Sequence, residues 1–461
     1  MNRRRLWIAA AGLAIAALAV AAGMMYKPAI DPVPVPSPAG FDPELVREGA
    51  RVVALGDCVV CHTSKDGRPF AGGLPLATPF GTIYATNITP DADTGIGHWS
   101  EAAFARALRH GIARDGHPLY PAFPYVHFTR MPDRDISAAY AYLMSRDPVH
   151  ATAPANRLIF PLNFRPLVAF WNVLFLRPGP REPDTSHDAV WNRGKLLVDS
   201  LGHCASCHSP LNAIGGEKAG HAFDGGIVDG WEAPPLNALA DAVRPWTEAQ
   251  LVEYLRTGRA SEHGAAAGPM LPVTRDLARV PAEDVQAIAA YLLSIQKTPA
   301  LMNPINAGNA TSATAATPTI TQAALQAAPQ AGLQAGLQPS SHATTPAEQR
   351  GATLFNASCA QCHGPASPMQ TLGERATLAF STAVNAVTPR NAIQMMLNGI
   401  AWHGEDAIHY MPAFSGLYDD RQIADLAAYI RGAYSAKPAW PDAAPLVADL
   451  RKTLKTEDSA R

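Results

Sequence analysis

The sequence predicts a mainly α-helical protein built from three tandem units of similar design. All six cysteines of the 461-residue chain occur in three copies of one pattern, C-x-x-C-H. Each copy follows a helix-like stretch that contains an Arg-Gly or Arg-Glu-Gly step, and two further amphipathic segments follow at helical spacing. The chain is also too long for one ordinary core, and its length suggests roughly three domains.

The N-terminus has the layout of an export signal. Three arginines at positions 3–5 precede an uncharged apolar run at 6–25. About 20 apolar residues suffice to span a bilayer, whereas "AVA" at 19–21 offers a small-residue cleavage site. We expect residues 1–27 to be a signal or membrane anchor, with the uncleaved anchor preferred. The proline-rich stretch 28–41 is then a stiff spacer.

Each unit is predicted to contain a motif helix, a middle helix, a loop and a closing helix. The middle helices are expected within 99–112, 246–259 and 388–401, each after a Ser or Thr N-cap candidate. The closing helices are expected within 134–145, 283–294 and 421–432. The three predicted domains are 42–150, 187–298 and 347–436.

The joins between the units differ in composition. Residues 151–186 are rich in aromatic and apolar side chains, and we expect them to pack between the first two domains; a membrane or partner contact is the alternative. Residues 299–346 are low-complexity Ala, Gln, Thr and Pro and are expected to form a mobile linker. Residues 437–461 form a C-terminal tail.

The repeated cysteine motif indicates covalent haem c. In C-x-x-C-H, two thiols bond the vinyl groups of haem and the adjacent histidine binds the iron. The predicted covalent attachment residues are Cys58, Cys61, Cys204, Cys207, Cys359 and Cys362. The predicted proximal iron ligands are His62, His208 and His363. The sequence therefore predicts three covalently bound haem c groups in three class I cytochrome c domains.

Zinc and disulfides are the alternatives for these cysteines. A four-cysteine zinc site needs a second C-x-x-C in the unit, which no unit has. Exported cysteines can oxidise, but a two-residue gap repeated three times is typical of a redox or cofactor site rather than of a disulfide framework.

The sixth iron ligands are expected in the loop before each closing helix. In the third unit "HYMPAFSG" offers Met411, and in the second "AAGPMLPV" offers Met270. Both methionines are flanked by proline and small residues. The alternative is that they are ordinary core methionines.

The first unit departs from this pattern. Phe123 stands where the spacing places the methionine, and alignment on the shared "PAF" places Tyr120 opposite the third methionine. We prefer His127 as the sixth ligand, with Met131 as second choice and an open or other site as the remaining possibility. Histidine ligation predicts that the first haem has a lower potential than the other two.

Charge composition excludes one class of function. The chain has 37 basic and 39 acidic side chains and a formal net charge of -2. It therefore carries no signature of nucleic-acid binding.

Several longer stretches carry a family resemblance. They are "PFGTIYATNITPDADTGIGHW" (79–99), "DGHPLYPAFPY" (115–125), "FPLNFRPLVAFWNVLFL" (160–176) and "GHCASCHSPLNAIGGEK" (202–218). With the three haem motifs, they resemble the three-haem cytochrome c subunit of bacterial membrane-associated dehydrogenases over about residues 42–435. These subunits serve alcohol, gluconate, sorbitol, aldehyde and nicotinate dehydrogenases.

The resemblance implies a partner and a location. The "PAFPY" loop with a following histidine, "LNFRPL" and "GPM" are most similar to cytochromes that partner molybdenum hydroxylases acting on an aldehyde or N-heterocycle. Quinoprotein alcohol and flavin-dependent sugar dehydrogenases are the alternatives; in alcohol-type subunits methionine usually replaces Phe123. We expect a location on the periplasmic side of the bacterial inner membrane. The expected acceptor is ubiquinone, a cytochrome or a terminal oxidase of the respiratory chain.

Six-coordinate haem leaves no iron position for a substrate, so the predicted role is one-electron transfer and the substrate chemistry belongs to the partner. Two other classes of function compete with this interpretation. One is a haem peroxidase or reductase that uses an open first haem, and the other is a diffusible electron carrier without a fixed dehydrogenase. Binding of cyanide or carbon monoxide would favour the enzyme, and a free monomer would favour the carrier.

Overall fold

The computed structural model describes residues 23–297, 345–365, 367–371, 375, 377–404 and 408–460, together with positions 7, 12, 13, 15, 16, 19 and 20. Most of the predicted signal or anchor at 1–27 and nearly all of the predicted linker at 299–346 lie outside the described residues. None of the helices formed by the described residues is long and apolar enough to cross a membrane. The fold is mainly α-helical, as the sequence predicts.

The first repeat contains all of its expected helices. They are α1 (Pro43–Leu55), α2 (Cys58–Cys61), α3 (Glu101–His110), α4 (Tyr125–Phe128) and α5 (Asp133–Met144). Ser100 caps the middle helix α3, because its hydroxyl accepts a hydrogen bond from the Ala103 N–H at 3.2 Å. A three-stranded antiparallel sheet, which the sequence analysis did not predict, has the order β1 (Pro75–Thr78), β2 (Gly81–Tyr84) and β3 (Arg157–Leu158).

The second repeat follows helix α6 (Val168–Phe175). Its helices are α7 (Ala189–Leu196), α8 (Ala205–His208), α9 (Glu248–Thr257), α10 (Met270–Leu277) and α11 (Ala282–Ser294). A π-helical turn at Leu197–Leu201 continues α7 towards the motif. The short strands are β4 (Gly226–Val228), β5 (Trp231–Ala233), β6 (Arg259–Ala260) and β7 (Gly264–Ala265). Thr247, an expected N-cap candidate, caps α9 and forms a capping box with Gln250.

The third repeat has the same order of helices. They are α12 (Pro346–Ser358), α13 (Ala360–His363), α14 (Pro368–Thr371), α15 (Thr382–Asn385), α16 (Arg390–Asn398) and α17 (Asp420–Tyr434). Strands β8 (Ile400–His403) and β9 (Ile408–Met411) pair antiparallel. The expected threonine N-cap is wrong for α16, whose N-cap is Pro389; Thr388 lies one residue earlier and accepts from the Arg390 N–H at 3.3 Å.

The shared Arg-Gly step marks the point where the first and closing helices of a repeat cross. A Cβ built on Gly49 of α1 would lie 2.0 Å from the Ala138 carbonyl oxygen and 2.6 Å from the Cβ of Tyr142 in α5. Only glycine permits this approach of two helix backbones. The distance of 2.0 Å to a carbonyl oxygen recurs in the other repeats, at Gly194–Ala287 and Gly351–Asp425. The same helix crossing therefore occurs in all three repeats.

The described chain forms two compact parts. The first part comprises Met1–Asp229, Ala233–Pro235 and Pro272–Leu292, and the second comprises Gly230–Glu232, Leu236–Leu271 and Leu293–Arg461. This division runs through the second repeat. Its cysteine motif and most of α11 belong to the first part, whereas α9 belongs to the second.

Helix α6, within residues 151–186, contacts both the first repeat and the motif half of the second. The Tyr125 hydroxyl donates to Asn172 Oδ1 at 2.6 Å, and Trp171 Nε1 donates to the Ile214 carbonyl oxygen at 2.9 Å. The same segment also leaves large apolar side chains in solvent. This exposed apolar face consists of Ile159, Phe160, Leu162, Phe164, Phe170, Val173 and Leu174.

The C-terminal segment, expected only as a tail, forms helix α18 (Ala444–Ala460). Val447 and Leu450 lie in the core of the third repeat, at 0% and 3% exposure. Arg451 Nε donates to Asp420 Oδ1 at 2.7 Å, at the start of α17. This helix therefore completes the hydrophobic core of the third repeat.

Candidate haem sites

The first motif presents its histidine in the state that iron binding requires. His62 follows α2, and its Nδ1 lies 2.6 Å from the Thr86 carbonyl oxygen. Because a carbonyl oxygen can only accept, Nδ1 carries the proton and the Nε2 lone pair remains for a metal. Burial lowers the pKa of His62 and favours the neutral ring.

The second motif repeats this arrangement. His208 ends α8, and its Nδ1 lies 2.7 Å from the Pro234 carbonyl oxygen. Burial also lowers the pKa of His208. The sequence predicts both histidines as iron ligands, but it does not reveal their carbonyl partners, because a backbone acceptor has no residue-type signature.

The third motif differs in the partner of its histidine. Burial, followed by the charge of Arg375, lowers the pKa of His363 to about 4. Within the described part of the chain, the buried Nδ1 of His363 has no hydrogen-bond partner. The neutral ring is again the favoured state, which suits a metal ligand.

The cysteine environments fit thioether bonds better than thiolate chemistry. Burial raises the pKa of Cys58 and Cys204 to about 12 and that of Cys359 to about 11. Zinc sites and catalytic cysteines need a thiolate, which these surroundings disfavour, whereas a thioether carries no charge. No three His, Cys, Asp or Glu side chains of the described residues come together as a possible metal cluster. The residues present therefore fit covalent haem.

The first two motifs lie side by side in the first compact part. Cys61 keeps solvent contact, yet the chain packed around it raises its pKa to about 12, with further contributions from the Asp57 carboxylate and the Cys207 thiol. Phe128 of α4 contacts the residues before both motifs: its ring centroid lies 5.5 Å from that of His203, and a Cβ built on Gly56 would lie 3.8 Å from its Cε1. Two candidate attachment motifs are thus neighbours within one compact part. His203 was a residue to which the sequence assigned no role.

The predicted methionine ligands occupy different kinds of position. Met411 ends β9 and packs, as Cys359 does, against the core of the third repeat. Met270 begins α10 instead of lying in a loop, and it belongs to the second compact part. Cys204 and His208 belong to the first part.

His127, the preferred sixth ligand of the first haem, has partners at both ring nitrogens. Its Nε2 lies 2.6 Å from Glu217 Oε1, and its Nδ1 lies 3.1 Å from the Asp199 carbonyl oxygen. Burial favours a neutral carboxyl at Glu217, but the hydrogen bond from His127 outweighs it and holds the pKa of Glu217 below its usual value. Iron coordination by His127 would replace one of these contacts. Met131, the second choice, is buried at 2% exposure.

Two family models match within the chain. The cytochrome c model matches residues 192–296, and the model for subunit III of cbb3-type cytochrome c oxidase matches residues 346–430. The second and third repeats are therefore cytochrome c domains, whose cofactor is covalently bound haem c.

Curated relatives match most of the chain. A nicotinate dehydrogenase subunit of Pseudomonas putida is 44% identical over 98% of this chain, which spans 36% of that protein's length. The gluconate 2-dehydrogenase cytochrome c subunit of Pantoea cypripedii is 36% identical over 88% of this chain and 90% of the relative. The fructose dehydrogenase cytochrome subunit of Gluconobacter japonicus is 32% identical over 86% of this chain and 80% of the relative. The chain belongs to the family of cytochrome c subunits of dehydrogenases.

Proposed function

We propose that this protein is a three-haem electron-transfer subunit of a membrane-associated dehydrogenase complex. It would pass electrons from a catalytic subunit to the respiratory chain. The observation that carries the proposal is the equivalence of the first and second motifs, in which His62 and His208 each donate Nδ1–H to a backbone carbonyl. The first repeat, which neither family model covers, thereby has the same histidine arrangement as a cytochrome c domain.

Haem, when bound, supplies a one-electron carrier whose iron cycles between ferric and ferrous states. The chain's residues hold and orient that carrier. Each cysteine pair would fix the porphyrin, and the carbonyl partners of His62 and His208 hold each ring with Nε2 free. The neighbouring positions of Cys61 and Cys207 support electron transfer between the first and second haems within one compact part.

The sixth ligands are part of the proposal. Met270 and Met411 would bind the second and third irons, giving these haems the higher potentials typical of a thioether ligand. His127 would bind the first iron in exchange for one of its present hydrogen bonds, with Met131 as the alternative. Full coordination leaves the chain without a substrate position, so oxidation of the organic substrate would take place on the partner.

For the partner we propose a molybdenum hydroxylase that oxidises an aldehyde or N-heterocycle. The nicotinate dehydrogenase relative supports this choice through 44% identity over 98% of the chain. This chain spans only 36% of that relative's length. Sequence identity alone therefore does not assign the relative's activity to this chain. The fructose and gluconate relatives, of which this chain covers 80% and 90%, favour a sugar dehydrogenase as second candidate.

We also propose that the protein works on the periplasmic face of the inner membrane and delivers electrons to ubiquinone, a cytochrome or a terminal oxidase. The exposed apolar face supports membrane association, with Phe160 at 85% and Val173 at 58% exposure. Residues 151–181 contain four arginines and no acidic residue. Apolar side chains beside arginines suit the surface of an anionic bilayer.

Co-purification tests the partner. The haem-stained protein would be isolated from membranes in mild detergent, and the metals and organic cofactors of the accompanying subunits analysed. Molybdenum with iron–sulfur is the expected result. Pyrroloquinoline quinone or flavin in its place would transfer the chain to the alcohol or sugar dehydrogenases, and isolation without any catalytic subunit would contradict the complex.

Peptide mass spectrometry tests the number of haems. Three peptides, each containing one C-x-x-C-H motif, should carry one haem mass apiece. Replacing Cys58 and Cys61 with alanine should remove one third of the haem iron and leave the other two modified peptides unchanged. An unmodified first-motif peptide in the original chain would reduce the proposal to a two-haem cytochrome.

A further inference from the structure

A two-stranded hairpin in the third repeat carries the proposed methionine ligand. Strands β8 and β9 pair with Ile400 opposite Met411 and Trp402 opposite His409. Because side chains alternate along a strand and paired residues share a face, these four side chains lie on one face of the hairpin. All of them but Met411 are buried, whereas Ile408 on the other face is exposed. His409 therefore lies on the same face as the sulfur that would bind the third iron.

His409 brings a buried nitrogen to this face. The residue is 8% exposed, and its ring stacks on that of Trp402, with centroids 5.4 Å apart and planes at 27°. Among the described residues, the buried Nε2 of His409 has no hydrogen-bond partner. Buried polar nitrogens are normally paired, because an unpaired one loses its hydrogen bonds to water without replacement. A group that the polypeptide binds would supply this partner.

The stacking partner of His409 is itself held in place. Trp402 is fully buried and packs against the end of α9, where a Cβ built on Gly258 would lie 2.7 Å from the indole Cδ1. All three residues belong to the second compact part. The indole thus contacts both Gly258 and His409, which limits the positions that the imidazole can take.

Two arginines come from segments that meet beside the hairpin. Arg259 directly follows Gly258 in the chain. Arg375 lies two residues before Thr377, whose N–H donates to the Ser261 carbonyl oxygen at 3.0 Å. This hydrogen bond joins the segment of Arg375 to that of Arg259, and both segments belong to the second compact part. The fold therefore brings two guanidinium-bearing segments together, which suits an anionic group.

Ionisation agrees with this placement. Burial, followed by the charge of Arg259, lowers the pKa of His409; Arg375 acts in the same direction, and the Thr257 backbone opposes them only in part. The neutral ring is therefore favoured, and it has one N–H to donate. Arg375 also lowers the pKa of His363, the proposed proximal ligand of the third haem.

We propose that Nε2 of His409 donates a hydrogen bond to a propionate of the haem attached at Cys359 and Cys362. The inference rests on the proposed function, which places the third haem there. Haem carries two propionates, and a carboxylate can only accept, so it is a matching partner for a buried N–H. His409 is then a positioning residue that fixes the edge of the haem on the hairpin face that carries Met411.

Resonance Raman spectroscopy of the full three-haem protein tests the hydrogen bond. The propionate bending mode reports hydrogen bonds to these groups, and the third haem is assigned as the component missing from the Cys359→Ala/Cys362→Ala variant. His409→Leu, which removes the donor, should shift the mode of the third haem only. His409→Gln, which keeps an N–H donor, should leave the mode near its original position.

His403→Leu is the matched control for the leucine substitution. His403 lies in the same hairpin, opposite Ile408, but on the exposed face. Its replacement should leave the propionate mode unchanged.

The potential of the third haem provides a second readout. Without its donor, the propionate keeps more negative charge near the iron and stabilises the ferric state. His409→Leu should therefore lower this potential, by an amount up to that of a tenfold change in the one-electron equilibrium, which is about 59 mV. His409→Gln and His403→Leu should keep the original value.

Three results would overturn the proposal. One is an unchanged propionate mode in His409→Leu, and another is a changed axial-ligand spectrum in His409→Gln, which would make Nε2 an iron ligand. The third is loss of the haem from both variants, which would assign His409 to packing alone. If only the leucine variant loses the haem, the original mode in His409→Gln supports the donor role. An unmodified third-motif peptide in the original chain would refute the proposed function itself.

Discussion

Arg51 and Asp284 link the first repeat to the second through a buried ion pair. Arg51 Nε donates to Asp284 Oδ2 at 2.6 Å, and Arg193 Nε donates to Oδ1 of the same carboxylate at 2.9 Å. The Asp284 side chain is 1% exposed, whereas the two arginines keep about a third of their surface in solvent. Burial alone would favour a neutral carboxyl, but the hydrogen bonds from Arg51 and Arg193 outweigh it and hold the pKa of Asp284 below its usual value.

Replacing Asp284 with asparagine should destabilise the first compact part. Breaking a fully buried ion pair costs about 3–5 kcal/mol; here we expect about 2 kcal/mol, because both guanidinium groups stay partly hydrated. A depressed carboxyl pKa stabilises the fold above the unfolded value of about 3.9, and the contribution disappears as pH falls through the folded pKa. The variant should therefore unfold at a lower temperature than the original chain at pH 7, and the two unfolding temperatures should converge in acid.

Asp147→Asn is the matched control for this change. Asp147 pairs with Arg68 at 3.8 Å, but its side chain is 91% exposed. Exposed ion pairs contribute little to stability, so this variant should have the same unfolding temperature as the original chain at every pH. Equal effects of the two substitutions would show that the Arg51–Asp284 link is energetically unimportant.

Alanine at Gly351 should separate the two crossing helices of the third repeat. The added methyl would meet the Asp425 carbonyl oxygen at 2.0 Å, and backbone atoms on both sides leave little room to yield. We expect a loss of about 3 kcal/mol, the upper range for overpacking. On the proposed assignment of one haem to each motif, the visible circular dichroism of the haem at Cys359 and Cys362 during thermal unfolding reports this repeat.

Gly416→Ala serves as its control, since a Cβ there has no heavy atom within 4 Å. Its effect should lie within about 0.5 kcal/mol. A Gly351→Ala variant as stable as Gly416→Ala would contradict the close helix crossing.

The charge-transfer band from methionine sulfur to ferric haem should have the intensity of two haems. Met270 and Met411 would supply it, while the first repeat has Phe123 at the expected methionine position. His127→Gln should then change only the first haem's spectrum, and Met131→Leu should change none. Intensity for three haems, with one third lost in Met131→Leu, would assign Met131 as the first haem's ligand.

Serine at both Val173 and Leu174 should weaken binding of the purified chain to anionic lipid vesicles. Burial of one such side chain contributes about 1.5–3 kcal/mol. The double substitution should therefore weaken the affinity for the vesicles at least about tenfold and lower the bound fraction accordingly. Flotation with the vesicles measures this fraction. Val387→Ser is the control, because Val387 is 91% exposed but lies outside the exposed apolar face. If both variants bound the vesicles equally well, the exposed apolar face would serve a contact other than the membrane.

Local patterns in the sequence predicted the helices and the haem motifs. Apolar spacing located α1, α3 and α5 and their counterparts, and the Arg-Gly step coincides with the helix crossings. These features depend on residues close together in the chain, where period and spacing carry the information.

Contacts between distant residues were not predictable in this way. The Thr86 and Pro234 carbonyl partners lie on the backbone, so residue type does not reveal them. Arg51 and Asp284 come from different repeats, and neither has an unusual local sequence. The same reason explains why α18 was expected only as a tail: its apolar positions gain meaning from the core of the third repeat against which they pack.

The helix crossing at Gly49, Gly194 and Gly351 has a genetic consequence. In each repeat, a Cβ built on this glycine would lie 2.0 Å from a carbonyl oxygen of the closing helix. A hybrid that joins the first helix of one repeat to the closing helix of another would therefore keep the same helix crossing. Unequal recombination could thus lengthen or shorten such a chain by whole haem carriers.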